Sequence, residues 1–279
     1  MGCGGWPGWG IVNELDGLVT AVLISPKYQH ISPDLVRRIG ARELAARRGL
    51  KEAVKATKNK LHQVGGAYFE AKIDYARALA DLRAAAGNEA ALRAACRAVM
   101  GLHASTHERL PILEMFYTTI LADLPPLRSV MDVACGLNGL AWPWMPFTAD
   151  TRYIGYDIYA DMVCFVGEFL ALAGVQGETA VRDVISDPPT QPVDLALLLK
   201  LLPVLEQVEK TAVPHLLDAL NARYLLISFP VASLGGRSKG MVATYEAQFD
   251  AWAAGRDWTV RRFPFATELA FLVRQNAAP

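Results

Sequence analysis

The stretch Val130-Met131-Asp132-Val133-Ala134-Cys135-Gly136-Leu137-Asn138-Gly139-Leu140-Ala141 constrains the fold more than any other part of the chain. A hydrophobic strand runs into a turn of small residues and then into a helical stretch. A Rossmann-like sheet builds a nucleotide-sized cradle in this way, because small residues let the backbone approach a ligand closely. Twenty-one residues after Gly136 stands Asp157, at the end of a second strand, Tyr153-Ile154-Gly155-Tyr156-Asp157. A carboxylate about 20 residues past the glycine turn sits where a ribose presents its hydroxyls. The full G-x-G-x-x-G is missing, which argues against a dinucleotide with its pyrophosphate. A ligand with ribose but no phosphate fits better, and S-adenosylmethionine (SAM) is the common one. A tight turn in an ordinary α/β sheet is the alternative, which Asp157 at its spacing disfavours.

From about residue 106 the pattern alternates strands with helices, the signature of a parallel α/β sheet. The expected strands are Ser129–Cys135, Arg152–Ile158, Glu178–Val184, Val193–Lys200, Arg223–Phe229, Trp258–Phe265 and Glu268–Val273. Only Ala266-Thr267 separates the last two, so they should form a hairpin with one strand antiparallel to the rest. The fold class is therefore α/β: a Rossmann-like, seven-stranded SAM-methyltransferase sheet with a terminal antiparallel hairpin, preceded by a helical N-terminal domain.

Residues 1–105 read as helical, and residues 106–279 as the α/β domain. Ser32-Pro33-Asp34 is a helix start, with Ser32 as N-cap and Pro33 at the first helical position. Helices are expected over Leu35–Arg48, Leu50–Leu61, Tyr68–Ala86 and Glu89–Leu102, broken by Gly65-Gly66 and Gly87-Asn88. Leu50, Val54 and Leu61 share one face, which Thr57 makes less than fully apolar.

The net charge of zero hides an asymmetry. Residues 1–105 carry 15 Lys and Arg against 9 Asp and Glu, a net of +6, and the remainder, with 13 against 19, a net of −6. The positive charge concentrates between Arg37 and Lys60. There Arg47, Lys51, Lys55 and Lys58 fall in one helical sector beside the apolar stripe, with Lys60 following. Such a ridge can neutralise several phosphates of a nucleic acid; a solvated helix face is the alternative, and the scarcity of interleaved acids favours the first.

No apolar run is long enough to span a bilayer, and no basic segment precedes an apolar one at the start. The four cysteines lack C-x-x-C spacing and read as reduced thiols of a cytoplasmic protein. His103 and His107 lie four apart, but Ala104 stands where a zinc protease needs glutamate, so no metal is expected.

Arg109 lies just upstream of the first α/β helix. It is placed either to clamp a carboxylate, as SAM's methionine tail requires, or to lie on the surface. Asp183 ends the third strand, on the adenine or ribose side of the cleft, or else belongs to the turn before Pro188. Lys200 is a lone charge in an apolar run and needs a partner or an opening. Ser228-Phe229-Pro230 ends the fifth strand. Arg237 and Lys239 lie in a basic loop beyond it, suited to a phosphate or a base.

Taken together, these stretches resemble the aminoglycoside-resistance 16S rRNA methyltransferases, the Arm family in its guanine-N7 branch. The resemblance rests on Lys51-Glu52-Ala53-Val54-Lys55, Lys60-Leu61-His62-Gln63, His103-Ala104-Ser105-Thr106 with Glu108-Arg109-Leu110, and the turn from Asp132 to Asn138. Leu197-Leu198-Leu199-Lys200 with Leu202-Pro203, Ser228-Phe229-Pro230, Ser238-Lys239-Gly240-Met241 and Glu268-Leu269 complete it. The resemblance implies SAM as cofactor. Arg109 would hold the methionine carboxylate, with Asp132, Ala134 and Gly136 lining the cofactor. Asp157 and Ile158 would lie at the ribose and Asp183 at the adenine. The implied substrate is guanine 1405 of 16S rRNA in the 30S subunit, met by a monomer. Arg47, Lys51, Lys55, Lys58, Lys60, Arg237 and Lys239 are the rRNA-binding candidates. No general base is implied; Lys200 and Ser228 are the candidates nearest the target base. The sequence departs from the family at Gly139, where proline is expected, and at Ala270-Phe271. A small-molecule methyltransferase, a non-catalytic rRNA-binding protein with a decayed SAM site, and an adenine-N1 rRNA methyltransferase are the rival readings.

Overall fold

The computed structural model describes residues 13–65, 73–232 and 240–276. Seven strands form one sheet: β1 (Ser129–Val133), β2 (Arg152–Asp157), β3 (Gly177–Val181), β4 (Val193–Leu199), β5 (Ala222–Pro230), β6 (Trp258–Pro264) and β7 (Glu268–Gln275). Their order is β3-β2-β1-β4-β5-β7-β6. The first five run parallel, and β7 runs antiparallel to both β5 and β6. The expected hairpin is present, with β7 as the reversed strand. β3 stops at Val181 rather than Val184, which puts Asp183 in the loop beyond it.

The chain walks outward from β1 through β2 to β3, returns to β4 and walks the other way. The order therefore reverses between β1 and β4, and a crevice opens there at the carboxyl ends of the strands. Because β7 is reversed, its first residue, Glu268, lies at this same end, opposite Pro230.

Alternation along the strands gives the sheet two apolar faces. Val130, Leu195, Leu197, Tyr224 and Leu226 face one core. Met131, Val133, Ala196, Leu198 and Ile227 face the other. The helical front consists of α1 (Glu14–Leu23), α2 (Pro33–Ala46), α3 (Leu50–Val64), α4 (Tyr75–Ala85) and α5 (Glu89–Met100). Its Leu18, Leu35, Leu61 and Leu82 belong to the first core, so the front and that face of the sheet share one apolar interior.

Ser32 caps α2, its hydroxyl accepting from Leu35 N at 3.3 Å. On α3 the buried face is Ala53, Thr57 and Leu61, while Leu50 is 39% exposed. Thr57 and Leu61 of the expected face are buried and Val54 packs against the core, whereas Leu50 stays at the rim and Ala53 turns inward in its place. The expected helix from Tyr68 begins at Tyr75, capped by Asp74; residues 68–72 lie outside the described residues.

The remaining helices are α6 (Ala104–His107), α7 (Leu113–Leu121), α8 (Ala160–Leu172), α9 (Leu202–Val208), α10 (Ala212–Ala219) and α11 (Met241–Ala253). After the glycine turn the chain forms a tight 3-10 helix, Asn138–Trp144, with Pro143 inside it. Gly139 has a local reason. A Cβ there would come within 2.6 Å of Val166 Cγ1 on α8, so in this chain the valine fills the space that a proline ring would need.

Candidate active site

A cleft of about 940 Å³, open to solvent, occupies the crevice between β1 and β4. Arg109, Asp132, Ala134, Gly136, Asp157, Ile158 and Asp183 all line it, as does Lys200. From the helical front, Leu35 and Arg38 of α2 and Val64 and Gly65 at the end of α3 form part of the wall.

The floor is the turn after β1. Ala134 and Gly136 both adopt left-handed backbone, with φ of 58° and 51°. For alanine this costs on the order of 1 kcal/mol. The turn is closed by Cys135 N donating to Tyr156 O at 2.8 Å and Asn138 N donating to Cys135 O at 2.8 Å. A Cβ on Gly136 would sit 3.3 Å from the ring of buried His103, so the floor admits only glycine without a shift. Burial and the nearby Lys200 charge push the His103 pKa down to about 4, leaving the ring neutral at pH 7.

Asp157 stands at the end of β2 and is buried. Oδ2 accepts from Gly136 N at 2.9 Å, and Oδ1 from Ile158 N at 2.7 Å and Tyr159 N at 3.3 Å. Three donors leave one of the carboxylate's roughly four acceptor positions for a ligand hydroxyl. Burial raises the Asp157 pKa to about 6, against the opposing pull of those three N–H groups.

A continuous buried polar network runs from β1 to β7. Arg109 is 1% exposed and Glu268 is fully buried. Arg109 donates to Glu268 from Nη2 at 2.8 Å and from Nε at 3.1 Å, and from Nη1 to Asn138 Oδ1 at 2.8 Å. Tyr117 also donates to Asn138 Oδ1, and Asn138 Nδ2 donates to Asp132 at 2.7 Å. Tyr153 donates to the same Asp132 oxygen at 2.7 Å. Burial alone would raise the Glu268 pKa, but Arg109 and Lys200 hold it below the ordinary value. Arg109 uses three of its five N–H groups in this way.

Lys200 adopts φ 59° at the end of β4. Its Nζ donates to Glu108 at 2.7 Å and to Ser105 O at 3.0 Å, and lies 3.5 Å from Glu268. Ser228 is fully buried and donates to Glu268 at 2.5 Å. Lys200 lines the cleft, and both residues thus meet at Glu268. The ammonium is committed to α6 and Glu268, and the serine hydroxyl to Glu268, because Glu268 needs every donor within reach to remain ionised in the interior.

Asp183 is also committed. Oδ2 accepts from Arg38 Nε at 2.7 Å and Ser186 Oγ at 3.1 Å, and Oδ1 from Arg38 Nη2 at 3.1 Å and Ile185 N at 3.2 Å. The Ser186 hydroxyl also lies 3.2 Å from Asp183 O, so its one proton is shared between the backbone and the carboxylate.

The basic cluster divides in two. Arg37 pairs with Asp16, Arg38 with Asp183, Arg42 with Glu209 and Arg47 with Glu43. Among the described residues, Arg48, Lys51, Lys55, Lys58 and Lys60 form no ion pair. Lys51, Lys55 and Lys58 follow one another along α3 at helical spacing, whereas Lys60 lines a separate cavity beside Arg42. Arg237 and Lys239 lie outside the described residues. Among the described residues no three His, Cys, Asp or Glu side chains are placed to hold a metal ion, and no helix is long and apolar enough to cross a membrane.

Sequence reasoning missed Glu268 as the counter-ion of Arg109, and Asn138 and Arg38 as site residues. A signal for Glu268 was present: it is a lone charge heading an apolar strand, the pattern that singled out Lys200. Arg38 carried none, because its role depends on α2 packing over the strand ends.

The family model described as ribosomal RNA methyltransferase (FmrO) matches residues 24–272. A 16S rRNA (guanine(1405)-N(7))-methyltransferase of Frankia casuarinae is 41% identical over 94% of this chain and 94% of its own length. One of Micromonospora echinospora is 38% identical over 94% and 97%. Among solved structures, the 16S rRNA methyltransferase RmtF in complex with S-adenosyl-L-homocysteine superposes with a TM-score of 0.80 at 33% identity, covering 96% of this chain and 100% of RmtF. The 16S rRNA methylase RmtB gives 0.78 at 30% identity, covering 94% and 98%.

Proposed function

Since the chain belongs to the FmrO family of ribosomal RNA methyltransferases, we propose that its cleft and basic front divide one reaction between them: transfer of a methyl group from SAM to N7 of guanine 1405 of 16S rRNA. The enzyme is a SAM-dependent 16S rRNA (guanine(1405)-N(7))-methyltransferase. The observation that carries the assignment of residues is the cleft itself. Its lining includes Arg109, Asp157 and the left-handed small-residue turn at Ala134 and Gly136, and these support the reading.

SAM, when bound, supplies an electrophilic methyl group on a sulfonium. Arg109 holds the methionine carboxylate. Asp157 accepts from the ribose, with Ile158 beside it. Asp132 works at one remove, fixing Asn138 and through it the Arg109 guanidinium. Guanine N7 presents a lone pair and no proton, so no side chain has to act as a base. The task of this chain is to hold donor and acceptor in line, and such positioning can supply about 7–11 kcal/mol of a barrier. The acceptor is paired inside the folded rRNA. Extruding it costs a few kcal/mol, which phosphate contacts from the front offset.

Residues 1–105 form the docking domain and residues 106–279 the cofactor domain. Arg47, Lys51, Lys55, Lys58 and Lys60, together with Arg237 and Lys239 of the loop after β5, contact rRNA. The partner is the 30S subunit, met by a monomer, and the product confers aminoglycoside resistance. The test is to incubate the protein with methyl-labelled SAM and 30S subunits, naked 16S rRNA or 70S ribosomes, and to map the label. Label as 7-methylguanosine at position 1405 in 30S subunits alone is the expected result. Label on adenine N1, or on naked RNA and 30S alike, would overturn the corresponding part of the assignment.

A further inference from the structure

The turn between α1 and α2 is joined to the lysine face of α3 at two points. Tyr28 is buried, and its hydroxyl donates to Lys58 O at 2.9 Å. Lys27 Nζ donates to His62 Nδ1 at 3.2 Å. His62 lies in the same helical sector as Lys51, Lys55 and Lys58, so the turn sits at the end of that stripe and adds Lys27 to it. An ammonium can only donate, so Nδ1 accepts and the imidazole proton is on Nε2. Lys27 and His62 are both exposed, and together they offer several N–H donors at one spot.

Ile24 stands in the same turn, at the C-cap of α1. It is 79% exposed, the most exposed large hydrophobic side chain among the described residues. Single apolar residues are common on protein surfaces. This one differs in its setting. Its backbone is held by Ile24 N donating to Thr20 O at 3.0 Å, Ser25 N to Val22 O at 3.1 Å and Tyr28 N to Ser25 O at 2.8 Å. A fixed apolar tip therefore shares one short turn with Lys27, at the end of a cationic stripe. A polyanion whose charged backbone flanks apolar surface matches that arrangement. A-form RNA is built this way: its phosphates border a wide, shallow minor groove that exposes sugars and base edges. Building on the docking reading above, we propose that the α1–α2 turn is a second, mixed rRNA contact: Lys27 and His62 take a backbone phosphate, and Ile24 packs on the sugar or base edge beside it.

The test is the affinity for 30S subunits as a function of salt. Ile24→Ala should weaken binding about tenfold, the scale for partly burying its extra carbons in an interface. It should leave the slope of log affinity against log salt unchanged, because no charge is removed. Lys27→Gln should lower that slope by about 1. Both side chains are exposed, so the melting temperature and the affinity for S-adenosylhomocysteine (SAH) should stay at wild-type values. A photo-crosslinker, p-benzoylphenylalanine, placed at position 24 should attach to 16S rRNA. Attachment to a ribosomal protein instead overturns the proposal. So does wild-type 30S binding by both Ile24→Ala and Lys27→Gln while Lys55→Glu with Lys58→Glu loses it. Wild-type binding by all of these, the double reversal included, would instead overturn the docking reading itself.

Discussion

The cleft and the outer face of α3 treat charge in opposite ways. In the cleft, Arg109, Lys200 and Glu268 are buried and bonded to one another and to Ser228, Asn138 and Glu108. On α3, Lys51 and Lys55 are exposed, and no ion pair forms there among the described residues. A buried ion is tolerated only when its partners are complete, so the cleft charges are part of the fold. An exposed lysine is hydrated, contributes little to stability and is available to phosphates from outside. In the proposed function the first region fixes the cofactor geometry, and the second selects the partner. Changes in each should leave different signatures.

The largest effect is expected at Glu268. Glu268→Gln leaves two buried cations short of their counter-charge and should cost about 3–5 kcal/mol. That lowers the melting temperature by roughly 10 °C and abolishes SAH binding, as calorimetry would show. A variant that melts like wild type would mean that the network is not a structural unit.

Next comes the double reversal Lys55→Glu with Lys58→Glu. Melting temperature and SAH affinity should not change. Affinity for 30S subunits should fall about tenfold or more, and the slope of log affinity against log salt should drop by about 2. Unchanged 30S binding would remove α3 from the interface.

The third effect is a pH dependence. The folded Asp157 pKa is about 6, above its ordinary value of 3.8. For the free protein this group favours the fold below the ordinary value, and the advantage is lost as pH rises through 6. Ribose binding needs the ionised form, so SAH affinity should move the other way. It should be constant above about pH 7 and fall as pH drops through 6, with proton release measurable near that pH. Asp157→Asn should bind weakly and flatten the profile. A wild-type profile that is flat between pH 5 and 8 would contradict this.

The smallest effect sharpens the comparison from the packing side. The Thr57 hydroxyl is buried in the front without a hydrogen-bond partner. Thr57→Val keeps the shape and removes the unpaired group, so it should stabilise by about 1 kcal/mol without touching methylation.

The sequence made one of these two regions far more legible than the other. Lys51, Lys55 and Lys58 advertise themselves by helical spacing and by the scarcity of acids around them. The place of Asp157 beside the glycine turn was legible in its spacing from Gly136, whose N–H it accepts. The hairpin of β6 and β7 followed from two strand patterns with no room for a crossover. The Arg109–Glu268 pair was not legible, because it joins residues 159 apart through the reversal of β7. The occupation of Asp183 by Arg38, and of Lys200 by Glu108, was equally hidden. Periodicity shows that a lone charge needs a partner, but only the packed fold says which one.

The central claim is that the front reads RNA electrostatically while the cleft holds SAM by short-range contacts. The most direct measurement is the salt dependence of both KM values for the wild-type enzyme on 30S subunits. The KM for the subunit should rise steeply between 50 and 200 mM salt, by roughly 10³-fold or more if six phosphates are engaged, while the KM for SAM stays within about twofold. A subunit KM that does not respond to salt, or a SAM KM that rises in parallel with it, would contradict the account.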